Sequence, residues 1–421
     1  MGRSEIEALQ LAKLQSLIET IQNGQNGFYQ SRLEAAGLDS SVKSIGDFVG
    51  KMPFTSKLDI VWDREECPPY GSNLTFPIEE YSRFCQSSGT TSASGALPWL
   101  DTADSWSVML DCWEKVFASA SVEEKETIFF AFSFGPFLGF WTAYDCATRR
   151  GNLCIPGGGL SSLARLRLID THRAKVLCCT PTYALRLGEL LQQQDPSEFE
   201  NIAVEKIIVA GEPGGSIPEV RDRLAELWGG AQIFDHHGMT EVGPVTYEHA
   251  EKPLSLCVIE EHYLAEVIDH DSLEEVAPGG KGELVLTTLG RSSCPLLRYR
   301  TGDLVMKTYH GDVLCLEGGI LGRVDDMAVI RGVNIYPSAV EKVIRGFTEI
   351  SEFRVEQTTR QSMAELEVTV EPFGEVNPSH LQEKVARALQ DTFALRIPVH
   401  VVEPGALPRF EFKSKRWVKS G

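Results

Sequence analysis

A loop rich in serine, threonine and glycine offers the first chemistry in this chain. It reads QSSGTTSASG from Gln86 to Gly95. Hydroxyl groups and backbone amides of such a loop bind phosphate oxygens, and glycine lets the backbone approach them closely. The loop lacks the G-K-[ST] ending of the Walker pattern. Taken by itself, it predicts either a phosphate site or a flexible linker.

A second segment, DHHGMTEVGP at 235–244, combines histidines, a hydroxyl group and carboxylates. Glu241 offers oxygen ligands of the kind that Mg²⁺ prefers, which would suit a nucleotide site. His236 and His237 are adjacent, and adjacent side chains of a strand point to opposite faces. We therefore expect one histidine to face a ligand and the other to face the core.

Two later segments carry charged residues at predicted turns. LRYRTGDL contains Asp303, whose carboxylate can accept hydrogen bonds from ribose hydroxyls, although TGD is also typical of an ordinary turn. GRVDDMAVIRGVNIYPSAVE, residues 322–341, joins charges, a short apolar strand, a glycine turn and a helix that opens with proline. In isolation this second segment is also typical of a structural linker.

The elements that must position these residues are predicted from hydrophobic spacing. Apolar residues recur at helical spacing from about Ser4 to Gln22, and a polar, turn-rich stretch then extends to Gln86. Strands that alternate with helices predict a largely parallel sheet with covered faces. The strand-like runs are 128–134, 174–180, 205–211 and 232–236, and the helix-like segments lie near 138–150, 160–172, 181–193 and 216–228.

The character of the chain changes after about Met239, where segments such as LAEVIDH and KGELVLTTL predict a β-rich subdomain. From Gly322 onward we predict a small unit with helices at about 336–346 and 378–393 and strands at about 352–357, 364–371 and 397–403. The predicted fold is α/β, with a large N-terminal α/β domain (1–322) that includes the β-rich subdomain. A small, mobile α+β C-terminal domain (323–421) follows it.

Composition limits the classes of function. The formal net charge of -19 over 421 residues argues against binding of nucleic acid and of anionic membranes. The N-terminus has no apolar signal core, so we expect a cytoplasmic protein. The ten cysteines are scattered and form no C-x-x-C pair, which predicts reduced thiols.

The segments occur in an order that resembles the adenylate-forming superfamily of acyl-CoA synthetases, most closely its phenylacetate-CoA ligase branch. The likeness extends from about Phe54 to Val418. Its motifs are SSGTT, AGEP (210–213), HGMTEVGP, PLLRYRTGDL (295–304), the segment 322–341 and LPRFEFKSKR (407–416). The resemblance implies that the C-terminal domain rotates between two half-reactions, with Asp325 at the hinge.

The resemblance also implies a nucleotide site in which each motif has its own role. One set of residues would hold the β- and γ-phosphates of ATP, a second would line the adenine pocket, and a third would bind the ribose. These sets are Ser87, Ser88, Gly89, Thr90 and Thr91 for the phosphates, Glu212, Pro213, Asp235 and His237 for adenine, and Asp303 and Arg323 for ribose.

Three residues receive catalytic roles by resemblance. Thr240 would contact the α-phosphate, and Glu241 would hold Mg²⁺. Lys413 would stabilise the negative charge that develops while the carboxylate attacks the α-phosphorus. The alternative interpretation of Lys413 is a solvated basic tail, because Lys415 and Arg416 lie beside it.

The implied function is ATP-dependent activation of a carboxylic acid to its acyl-AMP with release of pyrophosphate, followed by transfer to the thiol of CoA. The aromatic segment Phe132–Trp141, with Tyr183, suits an aryl or medium-length acyl group but is equally typical of core packing. Related enzymes are often homodimers. Two alternatives stay open: loading of an external carrier-protein phosphopantetheine, and a degenerate, non-catalytic homologue that binds a nucleotide or acyl-CoA.

The chain departs from the family motifs at two positions. No lysine follows the phosphate loop, and Phe412 stands where relatives have glycine before Lys413. The missing loop lysine slightly favours the non-catalytic alternative, whereas the retained set of Glu241, Asp303, Arg323 and Lys413 argues against it.

A structural zinc is a further implication, because some relatives bind one downstream of the Mg²⁺ segment. His249, Cys257 and His262 have suitable ligand chemistry, with Cys315 as a fourth candidate. Buried cysteines and surface histidines explain the same residues more simply.

Overall fold

The structure is a computed structural model, and it describes residues 2–87, 96–324, 326, 328–330, 333–360, 363–374, 376–410 and 416–420. Some predicted site residues lie outside these ranges. They are Ser88, Gly89, Thr90, Thr91, Asp325, Phe412 and Lys413.

The N-terminal region is helical, and the predicted first helix is confirmed. The polar stretch that follows was predicted to be rich in turns, whereas the structure shows that it also contains short helices. Their starts are capped by Asn26, Ser44 and Ser56, whose side chains each accept a hydrogen bond from a backbone amide of the first turn. The helices are α1 (Arg3–Asn23), α2 (Gly27–Ala36), α3 (Ile45–Lys51) and α4 (Lys57–Glu66).

A hairpin leads into the central sheet, which has the predicted parallel arrangement in the order β4-β3-β5-β6-β7. Strand β5 is buried at every position, as expected where helices cover both faces. The strands are β1 (Tyr81–Gln86), β2 (Pro98–Thr102), β3 (Thr127–Phe130), β4 (Leu153–Pro156), β5 (Val176–Cys179), β6 (Lys206–Ala210) and β7 (Gln232–His236). The helices are α5 (Ala103–Ser119), α6 (Trp141–Arg149), α7 (Ser162–Thr171), α8 (Pro181–Gln192) and α9 (Pro218–Leu227).

The predicted β-rich region is also present, as an antiparallel sheet in the order β10-β11-β15-β14-β13-β12, with β16 paired to β14. Strand β14 is long enough to pair with β13, β15 and β16 along its length. The strands are β8 (Gly238–Met239), β9 (Gly243–Pro244), β10 (Thr246–Glu248), β11 (Ser255–Val258), β12 (Tyr263–Ile268), β13 (Lys281–Thr288), β14 (Tyr299–His310), β15 (Val313–Glu317) and β16 (Gly322–Arg323).

The C-terminal region packs around its own hydrophobic cluster, which joins helices α10 and α11 to a sheet in the order β21-β20-β19-β22. Helix α11 buries residues 381, 385, 389 and 393 along one face. The elements are β17 (Ala328–Ile330), β18 (Val333–Ile335), α10 (Pro337–Arg345), β19 (Ile350–Arg360), β20 (Met363–Pro372), α11 (Pro378–Phe393), β21 (Val399–Val401) and β22 (Trp417–Ser420). The domain boundary at 322/323 stays a prediction.

The expectation of reduced thiols is wrong for one pair of cysteines. Cys257 and Cys315 form a disulfide, because they lie directly opposite each other on the antiparallel strands β11 and β15. The other cysteines carry free thiols, and most of these are buried. Within the described ranges, no helix is both long and apolar enough to cross a membrane.

Candidate functional site

The predicted site residues gather where the carboxyl end of the parallel sheet meets the antiparallel sheet. Glu212 follows β6, His237 follows β7, and Asp303 belongs to β14. Ligands of open parallel sheets bind at this end of the strands, because the loops that follow the strands are free to vary. The structure therefore brings together residues that lie far apart in the sequence.

Asp303 is the centre of the best-defined cluster. Its Oδ2 lies 3.0 Å from Nε2 of His237, and its Oδ1 accepts a hydrogen bond from Nη1 of Arg323 at 3.2 Å. The pairing of β14 with β16 places Asp303 directly opposite Arg323. Asp303 is buried, so its carboxylate is held between two nitrogen groups in a defined orientation.

Gly302 is the residue that allows this arrangement. Its φ of +74° belongs to the left-handed region, and a Cβ atom there would lie 2.5 Å from Nη2 of Arg323. The glycine of the TGD sequence therefore makes room for the guanidinium beside Asp303.

The two adjacent histidines have different surroundings, and His236 is the one that faces the core. His236 is buried against Trp113, with ring centroids 4.4 Å apart, and Nδ1 lies 2.6 Å from the carbonyl oxygen of Thr246. Burial lowers the pKa of His236 to about 3, so it is a neutral core residue. His237 instead faces Asp303, and its Nδ1 has no hydrogen-bond partner among the described residues.

Asp235 lies at the end of β7 and is buried. Its Oδ2 accepts a hydrogen bond from the hydroxyl of Ser216 at 2.6 Å, and its amide donates to Oε2 of Glu248 at 2.8 Å. Burial raises the pKa of Asp235 to about 7, the Ser216 hydrogen bond opposes this rise, and the Glu248 carboxylate adds to it. Asp235 therefore belongs to the internal wall of the site.

Glu212 and Pro213 occupy the loop after β6 and are half-buried. Oε1 of Glu212 accepts a hydrogen bond from the amide of Thr182 at 2.9 Å. Thr182 belongs to the first turn of α8, where backbone amides lack partners inside the helix. The predicted adenine-pocket loop is thus attached to the start of α8.

Thr240 and Glu241 lie in the turn between β8 and β9. Oε1 of the buried Glu241 lies 3.4 Å from Nζ of Lys57, which opens α4. Nη1 of Arg291 donates to the carbonyl oxygen of Thr240 at 2.9 Å and to that of Glu241 at 2.8 Å. The sequence interpretation missed both cations, because only the folding of distant segments brings them to this turn.

Ser87 is the described residue of the predicted phosphate loop. It is buried, and its hydroxyl accepts a hydrogen bond from the amide of Leu97 at 3.0 Å, while its own amide donates to the carbonyl of Leu97 at 2.9 Å. These bonds hold the two ends of the loop together at the hairpin of β1 and β2.

The predicted zinc ligands do not form one set. Cys257 is bonded to Cys315 and is therefore not a thiolate ligand. His262 is half-buried beside Glu261, and burial lowers its pKa to about 4. His249 instead lies near Glu251 and His310. Each of these three residues offers one ligand atom, and the three atoms are all within 4.8 Å of one another.

The aromatic residues predicted for an acyl pocket divide into two groups. Tyr183 is core, with its hydroxyl 3.0 Å from that of Ser162 and its ring beneath Arg165. Phe134 and Trp141 are only partly buried and pack edge to face, with ring centroids 4.8 Å apart. The rings of Phe134 and Trp141 therefore retain exposed apolar surface that a ligand could contact.

Comparison with known proteins gives matches over most of the chain. Residues 87–291 match the family of AMP-binding enzymes, and residues 332–420 match the C-terminal domain of AMP-binding enzymes. The chain is 31% identical to the phenylacetate-coenzyme A ligase of Thermus thermophilus, covering 98% of this chain and 95% of that relative.

The structure is similar to a 2-hydroxyisobutyryl-CoA ligase that has been solved in several states. The TM-score is 0.92 for the postadenylation state in complex with R3-HIB-AMP, at 26% identity and with 100% of this chain and 90% of that chain covered. For the thioesterification state in complex with 2-HIB-AMP and CoA, the TM-score is 0.73 at the same identity and coverage. The structure is therefore more similar to the postadenylation state of that ligase than to its thioesterification state.

Proposed function

The chain belongs to the family of AMP-binding enzymes, and on that premise we propose that it is an AMP-forming acid–thiol ligase that uses ATP and CoA. The observation that carries this proposal is the cluster of Asp303, Arg323 and His237. It brings a buried carboxylate, a guanidinium and an imidazole together where the parallel sheet meets the antiparallel sheet.

The cluster suits the ribose and base of a nucleotide. The Asp303 carboxylate can accept hydrogen bonds from both ribose hydroxyls, and Arg323 and His237 keep it oriented. Nδ1 of His237 is buried and has no hydrogen-bond partner among the residues that the structure describes. The ring of His237 would stack on adenine, where relatives often carry tyrosine.

Glu241 fits a magnesium ion, because its buried carboxylate offers oxygen ligands and already attracts the Lys57 cation. When bound, Mg²⁺ supplies positive charge to the phosphate groups of ATP. The ion pair between Asp101 and Arg291 holds the backbone of this turn, so the Glu241 carboxylate is presented from a fixed position.

The proposed reaction has two half-reactions. In the first, a carboxylate oxygen of the acid attacks the α-phosphorus of ATP, the bond to the bridging oxygen breaks, and pyrophosphate leaves. Lys413 is proposed to stabilise the negative charge of this step. In the second, the thiolate of CoA attacks the acyl carbon, the bond from that carbon to the phosphate oxygen breaks, and AMP leaves. The products are the acyl-CoA thioester, AMP and pyrophosphate.

We propose an aryl or medium-length acid as the substrate. The partly buried rings of Phe134 and Trp141 offer an apolar surface near the end of β3, and aromatic groups pack well against ring edges. The ligase from Thermus thermophilus supports an aryl acid, because its name specifies phenylacetate.

The alternatives make different predictions. A carrier-loading enzyme would form the same adenylate but would not consume free CoA. A non-catalytic homologue would bind ATP without turnover, and its melting temperature would still rise with ATP.

The test is ATP–pyrophosphate exchange with a panel of aryl and medium-length acids, followed by an assay of thiol consumption with CoA. Exchange with one acid and loss of the CoA thiol are the expected results. Exchange without thiol loss would favour the carrier alternative. Absence of exchange with every acid would contradict the proposed function.

A further inference from the structure

Arg416 joins the C-terminal region to the large α/β region. It precedes β22 and is buried, with its Nη2 bound to Oε2 of Glu352 at 3.1 Å. Its Nη1 donates to the hydroxyl of Thr182 in α8 at 3.1 Å. The same Nη1 also donates to Oε1 of Glu341 at 3.3 Å, so one guanidinium group binds two carboxylates of its own region and a hydroxyl of the other.

Thr182 is itself attached to the candidate nucleotide site. Its amide donates to Oε1 of Glu212 at 2.9 Å, and Glu212 belongs to the predicted adenine-pocket loop. A chain of two hydrogen bonds thus leads from Arg416 through Thr182 to Glu212.

Arg416 follows Lys413 by three residues in the sequence. Three residues of fully extended chain span at most about 11 Å, so a fixed position for Arg416 limits how far Lys413 can lie from it. Anchoring Arg416 to Thr182 therefore confines the lysine that the first half-reaction would use.

The hydrogen bond between Arg416 and Thr182 depends on how the C-terminal region lies against the large α/β region. The whole chain superposes on the postadenylation state of 2-hydroxyisobutyryl-CoA ligase with a TM-score of 0.92, against 0.73 for the thioesterification state of the same ligase. A hydrogen bond between side chains requires donor and acceptor within about 3.2 Å. A rotation of the C-terminal region would therefore break the bond to Thr182, whereas the bond from Arg416 to Glu352 would move with that region.

We propose that Arg416 is a positioning residue for the adenylation half-reaction, and that it acts by binding the hydroxyl of Thr182. This inference rests on the proposed function. The bond to Thr182 stabilises the arrangement in which acyl-AMP forms, and it is absent when the thioester forms. Arg416 therefore favours one half-reaction over the other without contacting the substrate.

The chemistry of arginine suits this role better than that of lysine. The planar guanidinium has several donors in fixed directions, so it binds the Glu352 carboxylate and the Thr182 hydroxyl together. The ring of Phe353 lies 5.1 Å from its Cζ, which further orients the group.

The experiment uses the full-length chain with Thr182→Val, Arg416→Lys and the double variant. Thr182→Val removes the hydroxyl and leaves the bond between Arg416 and Glu352 intact. ATP–pyrophosphate exchange measures the first half-reaction, and the reaction of synthetic acyl-AMP with CoA measures the second. We expect both single variants to slow exchange by about tenfold, the scale of one hydrogen bond to a charged group, and the double variant to slow it no further.

In Thr182→Val the rate of the second half-reaction should stay within about twofold of the wild-type rate. The hydrogen bond between Arg416 and Thr182 is absent from the arrangement in which the thioester forms, so its loss does not affect that step. Arg354→Lys is the matched control, since Arg354 forms an ion pair with Glu356 within the C-terminal region. It should leave the ratio of the two rates unchanged.

Two results would overturn the proposal: equal slowing of both half-reactions by Thr182→Val, or exchange at the wild-type rate in that variant. Failure of the proposed function would look different, because wild-type protein would then show no exchange with any acid.

Discussion

Arg291 and Asp101 form a buried ion pair with two parallel hydrogen bonds. Nε of Arg291 lies 2.7 Å from Oδ1 of Asp101, and Nη2 lies 2.6 Å from Oδ2. The remaining nitrogen of Arg291 binds the carbonyl oxygens of Thr240 and Glu241. The ion pair therefore supports the turn that is proposed to contact the α-phosphate and Mg²⁺.

Asp101→Asn is expected to lower the free energy of unfolding by about 3–5 kcal/mol, because it leaves the buried charge of Arg291 without a counter-ion. Urea unfolding monitored by tryptophan fluorescence measures this change. Asp111→Asn is the control, since Asp111 pairs with Arg149 on the surface, and its effect should stay below about 1 kcal/mol. Equal effects of the two substitutions would contradict the supporting role of Asp101.

Asp303→Asn is expected to raise the KM for ATP by about tenfold or more, because an amide replaces the carboxylate that is proposed to accept hydrogen bonds from the ribose hydroxyls. Steady-state ATP–pyrophosphate exchange at varied ATP concentration measures this KM. Asp269→Asn alters an exposed aspartate of a turn and should leave the KM unchanged. An unaltered KM in Asp303→Asn would remove this residue from the nucleotide site.

Lys413→Ala is expected to slow adenylation by about two to three orders of magnitude, because the developing negative charge loses its cation. ATP should still raise the melting temperature of this variant, since the ribose cluster is unchanged. Lys419→Ala changes another lysine of the basic tail and serves as the comparison. Equal adenylation rates in Lys413→Ala and the wild type would favour the solvated-tail interpretation.

Asp235 is expected to make stability depend on pH. Its pKa is about 7 in the folded protein and near 3.8 in the unfolded chain, so the folded state binds more protons between these values. The free energy of unfolding should therefore fall as the pH rises from about 4 to about 7.

Asp235→Asn should reduce this slope, because the amide does not ionise in that range. Urea unfolding of both proteins at pH 5 and at pH 8 measures the difference. A wild-type slope that persists in Asp235→Asn would assign the pH dependence to another group.

The hydrophobic pattern predicted the helix at 378–393 with the bounds that the structure has, and it predicted strand β7 at 232–236. The apolar residues of the helix recur at helical spacing, and the strand is a short run that contains Ile233 and Phe234; both are local properties of the sequence. Helices α2, α3 and α4 were missed, because they are short and lie in polar sequence. Their capping residues Asn26, Ser44 and Ser56 were the available signal.

The candidate site was predicted in part. The motif residues Asp303, Arg323 and His237 form one cluster, whereas His236 lies in the core against Trp113. The zinc set was wrong, because the register of β11 with β15 brings Cys257 to Cys315. Register between distant strands is not visible in the spacing of cysteines.

The order of the motifs and the period of the apolar residues are properties of the sequence alone, and they determined the family and the order of the elements. The partners of Arg291 and Arg416 depended on the folded chain. Arg291 is 51 residues from Thr240, and Arg416 is 234 residues from Thr182. Contacts over such separations depend on how the elements pack in the tertiary structure, because local patterns specify which face of an element is buried but not which distant side chain meets it.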